Sequence, residues 1–394
     1  MTSATNKEAG KKVEVLIPVL LAGGTEAQTL YLVRALRSAG YSVGICCYFE
    51  ANETVIQAFE REGARVSLLR LGSSGQAHRL KSLLKVGLAV FTHLGQTRPD
   101  VVHVQYLAPG LVSVLAARAA RVPTVLATVH QPGEPYGPMA RFSLRLAAAL
   151  STAFFCVSRS VEQSWFGDSA LFDPSSVGKR RHFTLYDCVD VERFAHGADQ
   201  ADAQAIREEL GLGDHPVVGV VGRLRREKGH VALLEALSLV VRAVPDVTLV
   251  VVGDGPERAQ LVERARRLGL DGRIVWLGAR RSEELPGLYG VMDVVAIPSL
   301  FEGFGLVAVE AMAAARPVVA FATGGLTEIV VDGVSGKLVP PGDRSAFAGA
   351  LVGLITDRKS AVEMGKAGRR IVQSRFSQET FSSLILSAYR RYAA

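Results

Sequence analysis

Gly219-Val220-Val221-Gly222-Arg223-Leu224-Arg225-Arg226-Glu227-Lys228-Gly229 runs from an apolar, β-branched segment into a helical pattern that starts near His230. The stretch predicts a buried strand, a basic turn and a helix. Outward from it the same alternation covers the whole chain. Upstream, short β-branched runs ending in Gly, His or Ser fall at 13–19, 43–49, 66–69, 101–105, 124–130, 153–157 and 183–186. Downstream they fall at 217–222, 247–253, 274–278, 294–298, 317–322 and 337–340, with stretches of helical period between them. This is the pattern of parallel sheets wrapped by helices, so the fold expected is α/β with two doubly wound Rossmann-like domains facing across a cleft. A chain of 394 residues is also too long for a single core. The boundary is expected in the polar segment 195–202, giving an N-terminal domain 1–195 and a C-terminal domain 196–375. Residues 376–394 read as a last amphipathic helix, with Phe381, Ile385 and Tyr389 on one face, packing back toward the N-terminal domain. Open α/β sheets bind ligands at the C-terminal ends of their strands, so the chemistry is sought there.

Composition narrows the class. At 48% hydrophobic and 21% charged residues the chain is neither disordered nor fibrous. No window approaches the ~18 uncharged apolar residues of a membrane-spanning helix. The polar first eight residues, and an apolar run broken by Pro18 and ended by Gly23-Gly24, argue against a secretory signal and for a cytoplasmic protein. Cys46, Cys47, Cys156 and Cys188 lack C-x-x-C spacing and read as buried thiols. The net charge of +7 is uneven: 21 basic against 15 acidic residues in 1–195, and 24 against 23 in 196–394. Within the first half, 79–94 and 141–146 mix Leu, Val and Phe with Lys and Arg at helical spacing. Core-facing helices with solvated basic faces explain these segments, with a surface that meets anionic lipid as the sharper alternative.

Several segments carry the chemistry. Arg223, Arg225, Arg226 and Lys228 crowd the N-terminal end of the helix near His230, where the dipole disfavours positive charge, so an anion is expected there. A solvated basic turn accounts for Arg225 and Arg226; it accounts less well for Arg223 and Lys228, which flank the strand mouth. Pro298 ends a strand, Glu302-Gly303-Phe304-Gly305 forms a loop, and a helix opens near Gly305-Leu306 whose free N–H groups make a phosphate cradle. Glu310 follows on an apolar stretch of that helix, where a carboxylate needs a specific partner. Vicinal ribose hydroxyls or a structural Arg both fit. Gly23-Gly24 opens the first helix, His130 stands at a strand mouth, and Gly324-Gly325 repeats the glycine pattern.

Absences sharpen the reading. There is no G-x-x-x-x-G-K-[ST] loop, and Gly253-Asp254-Gly255-Pro256-Glu257-Arg258 puts Arg where a dinucleotide fingerprint needs its third Gly. There is no Asp-x-Asp, paired-His metal motif or G-x-S-x-G elbow. A diphosphate bound here would be neutralised by Arg, Lys and a helix N-terminus, and no metal or other cofactor is expected.

Taken together, these residues resemble the GT-B retaining glycosyltransferases of family 4 (group 1). In the second half the resemblance runs almost end to end: G-R-L-x-x-x-K-G at 222–229, Val251-Val252-Gly253-Asp254-Gly255-Pro256-Glu257, the E-x7-E pair Glu302 and Glu310, and Gly324-Gly325 before Glu328. In the first half it rests on 23–26, 99–103 and 128–130. The resemblance implies a C-terminal domain that binds a nucleotide-diphosphate sugar. Arg223 and Lys228 would clamp the diphosphate, with backbone N–H groups of Gly305, Leu306 and Gly24 assisting. Glu310 would hold the ribose, Glu302 would lie near the donor sugar, and His130 would contact that sugar from the N-terminal domain. His130, Glu302, Arg223 and Lys228 thus form the expected catalytic set. Gly23, Gly24, Gly222, Leu277, Gly303, Phe304, Gly305, Leu306 and Glu310 form the donor-binding set, with the base read by backbone near Leu277-Gly278. The leaving phosphate would take the acceptor's proton, so no separate base is required. The expected partners are a UDP- or GDP-sugar and a glycan, lipid-linked or small-molecule acceptor, with peripheral membrane contact through the N-terminal domain and no nucleic acid. A nucleotide-sugar epimerase and a non-catalytic basic binding protein are the alternatives. One departure stands out: Asp187-Cys188 replaces the family's usual Asn-Gly, so Cys188 must avoid positive φ or accept strain.

Overall fold

The computed structural model describes residues 10–72, 80–106, 110–175, 178 and 180–393. It divides into two compact units, Met1–Asp187 with Glu379–Ala394, and Cys188–Gln378.

The first unit contains β1 (Lys12–Ile17), β2 (Ser42–Cys47), β3 (Arg65–Leu68), β4 (Val101–Tyr106), β5 (Thr124–Val129), β6 (Ala153–Cys156) and β7 (His182–Thr184). They form one sheet in the order β3-β2-β1-β4-β5-β6-β7, with every pairing parallel. The second contains β8 (Val217–Val221), β9 (Thr248–Val252), β10 (Ile274–Gly278), β11 (Val294–Ile297), β12 (Val318–Phe321) and β13 (Gly336–Val339), in the parallel order β10-β9-β8-β11-β12-β13. Helices join successive strands and cover both faces, which is why the strands read as near-continuous apolar runs. Strand order reverses between β1 and β4 in one sheet and between β8 and β11 in the other. At such a reversal the connecting helices diverge to opposite faces and leave a crevice at the strand mouths.

β1 carries an exception to the apolar rule. Glu14 is buried and its Oε1 lies 2.8 Å from His93 Nε2. On the neighbouring strand a Cβ at Gly44 would come within 2.4 Å of Glu14 Oε2, so glycine there makes the room.

The division between units falls at Asp187/Cys188, eight residues before the position expected from the polar segment (195 against 187). That segment is helix rather than linker. Asp190 caps the helix Val191–Gln200 by accepting from the Arg193 N–H at 3.0 Å, and Asp202 caps the next one. Val191, Phe194 and Ala198 are buried, with the Phe194 ring 5.8 Å from that of Tyr289. The chain leaves the second unit beside its entry: Val189 N–H donates to the Phe376 carbonyl (2.9 Å) and Gln378 N–H to that of Val189 (3.1 Å). The final helix, Gln378–Tyr392, then buries Phe381, Ile385 and Tyr389 in the first unit.

All four cysteines are buried free thiols, and Cys188 is not among the described non-glycine residues with positive φ. The basic, leucine-rich segments form the helices Leu80–Thr97 and Pro138–Leu150; Arg79 lies outside the described residues. Val86, Val90, Leu94 and Leu144 turn inward as core-facing helices require. Leu84, Leu88, Met139 and Phe142 do not, and are each at least 66% exposed. A purely solvated basic face therefore does not describe these helices. No helix among the described residues is long and apolar enough to cross a membrane.

Candidate active site

In the second unit the site is built by the loops that leave β8 and β11, on either side of the strand-order reversal. The first passes Gly222 and the exposed Arg223, buries Leu224, and turns through Arg226–Lys228 as a short 3-10 helix. Gly229 then starts the helix His230–Ala243 at φ +70°, and a Cβ there would sit 1.8 Å from the Pro298 carbonyl oxygen. Glycine lets this loop press against the end of β11, where Leu300 N–H also donates to the Glu227 carbonyl at 2.8 Å. The packing has a chemical result. Lys228 Nζ donates to Glu302 Oε2 at 2.8 Å, so the expected diphosphate clamp and the expected donor-sugar residue form one ion pair. Next to them, burial and the charge of Lys228 push His230 down to about 4. A neutral imidazole adds no further cation to that helix N-terminus.

After Glu302 the chain runs through buried Gly303, Phe304 and Gly305 into the helix Leu306–Ala313, with Gly305 as its N-cap. Gly325 N–H donates to the Glu302 carbonyl (3.1 Å), and a Cβ at Gly324 would lie 1.9 Å from that same oxygen. The glycine pair after β12 thus supports the Glu302 loop. Ala308 N–H is spent on the Gly305 carbonyl (2.9 Å), and the N–H groups ahead of it, at Leu306 and Val307, stand at the helix N-terminus where an anion is favoured.

Glu310 sits one turn further. Tyr289 Oη donates to its Oε2 at 2.8 Å, and among the described residues no Arg forms a salt bridge with it. Loss of hydration pushes the carboxyl up to about 7, while the Tyr289 hydrogen bond and the field of Arg193 pull the other way. Leu277 lies on the edge strand β10 at a bulge: Trp276 pairs with Val251 and Gly278 with Val252, so Leu277 has no partner in the ladder register. Its backbone is displaced from the regular pattern at the position the sequence reading assigned to the base.

In the first unit, Gly23 caps the helix Gly24–Ser38 at the mouth of β1, and Glu26 Oε1 accepts from the Leu21 N–H at 3.1 Å. His130 follows β5. Its Nε2 lies 2.8 Å from Gln105 Oε1 and its Nδ1 3.6 Å from Asp187 Oδ2. Behind it, His103 is buried with Nδ1 on Tyr389 Oη and Nε2 on Thr128 Oγ1, both at 2.8 Å. Burial first, and then the nearby His130, push His103 down to about 3.

Sequence reading missed Tyr289, Gln105 and the Lys228–Glu302 pairing, because none of these partners shares a motif with the residue it serves. Asp187 was visible only as a departure in a turn.

Among the described residues one group has metal-ligand composition, Glu162, Asp168 and His182. Arg180 already occupies it, 2.6 Å from Glu162 and 2.9 Å from Asp168. A guanidinium neutralising both carboxylates makes this a structural ion-pair network.

Two Rossmann-like α/β units with polar residues gathered at their strand mouths define the GT-B class of glycosyltransferase. Residues 202–371 match the family model "Glycosyl transferases group 1" and residues 22–167 match "Glycosyltransferase Family 4". The chain is 36% identical over 271 residues to the GDP-mannose-dependent alpha-(1-6)-phosphatidylinositol monomannoside mannosyltransferase of Mycolicibacterium smegmatis, covering 66% of this chain and 68% of that one. It is 38% identical over 210 residues to the D-inositol 3-phosphate glycosyltransferase of Corynebacterium urealyticum, covering 51% and 49%. It thus spans about half the length of that second relative. Anabaena HepE in complex with UDP and glucose has the same fold, with a TM-score of 0.78 and 24% identity over 96% of this chain and 99% of that one. The chain belongs to the group 1, family 4 glycosyltransferases.

Proposed function

We propose that the chain is a retaining, metal-independent transferase that moves a sugar from a nucleotide-diphosphate sugar to a hydroxyl of a glycan, lipid-linked or small-molecule acceptor. The observation that carries this reading is the set of residues around the β8/β11 reversal: Arg223, Lys228, the helix N-terminus at Leu306, and Glu310 one turn on. Two cations and a helix N-terminus suit a diphosphate without a metal. Glu310 accepts from the ribose hydroxyls through its second oxygen, Tyr289 holding the first. Glu302 stabilises positive charge at the anomeric carbon, and His130 hydrogen-bonds the donor sugar. The acceptor oxygen bonds to that carbon as the bond from carbon to phosphate oxygen breaks on the same face. The acceptor's proton passes to the leaving phosphate oxygen. Gly23 and Gly24 serve the phosphate from the first unit, and no nucleic-acid partner is needed.

The names of the relatives include GDP-mannose and inositol phosphates, and HepE binds UDP, so both bases and inositol-type alcohols head the screen. Calorimetric titration with UDP, GDP and ADP in EDTA tests the donor site. One nucleotide is expected to bind wild type without metal and to lose affinity for Glu310→Ala and for the Arg223→Ala/Lys228→Ala double variant. Failure of all three to bind wild type, or equal binding by the variants, overturns the reading.

A peripheral membrane contact has its own support. The helices Leu80–Thr97, Gly110–Ala119 and Pro138–Leu150 pack side by side. Their outer faces combine exposed Leu84, Leu88, Met139 and Phe142 with exposed Lys81, Lys85 and Arg145. Apolar side chains set among cations match the boundary of an anionic bilayer. Co-sedimentation with phosphatidylglycerol vesicles at about 0.15 M salt is expected, and Leu84→Ser/Leu88→Ser/Phe142→Ser should release the protein. Wild type that stays in the supernatant would sink this contact.

A further inference from the structure

Asp187 is 6% exposed, and the ionisable side chain that the described residues bring against it is His130, whose Nδ1 is 3.6 Å from its Oδ2. A buried carboxylate with no partner is costly, so the pair is a requirement of the fold as well as an option for chemistry.

We propose that Asp187 is a positioning residue for His130: its carboxylate keeps the proton on Nδ1, so that the ring presents Nε2 to a hydroxyl of the donor sugar as a fixed hydrogen-bond acceptor. The proposal rests on the donor-sugar role given to His130 above. Nε2 lies 2.8 Å from the side-chain amide of Gln105, which donates to it when the amide is turned over and so holds the ring in this orientation. An asparagine at 187 would offer the ring an N–H as readily as a carbonyl, and would not hold the proton.

The surroundings leave this pair isolated. His103 from β4 is neutral over the working range and spends both nitrogens on Tyr389 and Thr128. Tyr389 from the last helix is pushed well above its ordinary range by burial and stays a phenol. Gln28, Phe155, Leu185, Phe381 and Ile385 complete the recess and are uncharged at working pH. Burial raises the Asp187 carboxyl, and His130 opposes that rise. The acid limb that protonation of this carboxylate imposes on turnover therefore lies above the usual carboxylate range. At 3.6 Å the two groups face each other at slightly more than hydrogen-bond length.

Ring-15N spectra of the full chain labelled with [15N]histidine read the proton directly, with His130→Gln identifying the signal. At pH 7.5 without substrate, wild type is expected to carry a proton on Nδ1, and Asp187→Asn and Asp187→Ala to lose it. The isosteric Asn variant guards against a folding failure of the Ala variant, and thermal melts report on both. In turnover, Asp187→Asn is expected to lower kcat by about tenfold or more, to leave nucleoside-diphosphate affinity unchanged and to remove the acid limb of the kcat profile. Nδ1 protonation unchanged in both variants overturns the assignment, whatever the enzyme does. Wild type that binds no nucleotide overturns the functional reading instead, and the spectra still decide who holds the proton.

Discussion

Lys228→Ala is expected to lower kcat/KM by about 10²- to 10³-fold, the largest loss from any single side chain in the second unit. Two effects act together. The variant removes a charge-assisted contact to the donor diphosphate, worth about 1.5–3 kcal/mol. It also strips Glu302 of the ammonium 2.8 Å away, leaving a carboxylate beside an arriving dianion. Adding Glu302→Gln should therefore restore part of the nucleotide affinity lost in Lys228→Ala, although it removes transfer. Steady-state kinetics and nucleotide titration on the two single variants and the double variant measure this coupling. The control is Arg225→Ala in the same turn, whose exposed side chain pairs at 3.6 Å with Glu227. If Arg225→Ala costs as much as Lys228→Ala, general basicity rather than the clamp explains binding.

Nucleotide affinity should fall about tenfold as pH drops from about 8 to about 6, through the ionisation of Glu310. The carboxyl titrates at about 7 because burial disfavours its charge. Ribose hydroxyls donate to the ionised form, so the competent population shrinks on acidification. Glu310→Gln should bind more weakly at pH 8 and lose this component of the pH dependence. Stability moves in the opposite sense. The unfolded chain ionises Glu310 near 4.5 and the native protein only near 7, so the raised carboxyl costs stability increasingly as pH rises through that window. Above it the cost is on the order of 3 kcal/mol. Glu310→Gln should accordingly melt higher than wild type at pH 8 and close to it at pH 4. Wild-type binding that tracks Glu310→Gln across the whole range would remove Glu310 from the ribose site.

The sequence by itself determined the elements and their mouths. Thirteen strands and the helices between them are legible because backbone pairing and two-sided burial impose local patterns, a β-branched run followed by a 3.6-residue period. The placement of Arg223, Lys228, Glu302, Gly305 and Glu310 just past strand ends follows from the same local reading. The polar segment near 195 misled, because charge and small residues mark a capped helix surface as readily as a linker; only the burial of Phe194 against Tyr289 distinguishes them. Which mouths lie side by side was decided by tertiary structure. Lys228 and Glu302 are 74 positions apart, and they meet because strand order sets β8 beside β11 and Gly229 allows the loops to touch. Tyr289 reaches Glu310 from another helix, and Asp187 reaches His130 from beyond β7. Partners of this kind carry no sequence period. They set the protonation of Glu310, the ion pair of Lys228 and the orientation of His130, because the strength of a charge or a hydrogen bond depends on what surrounds it in space.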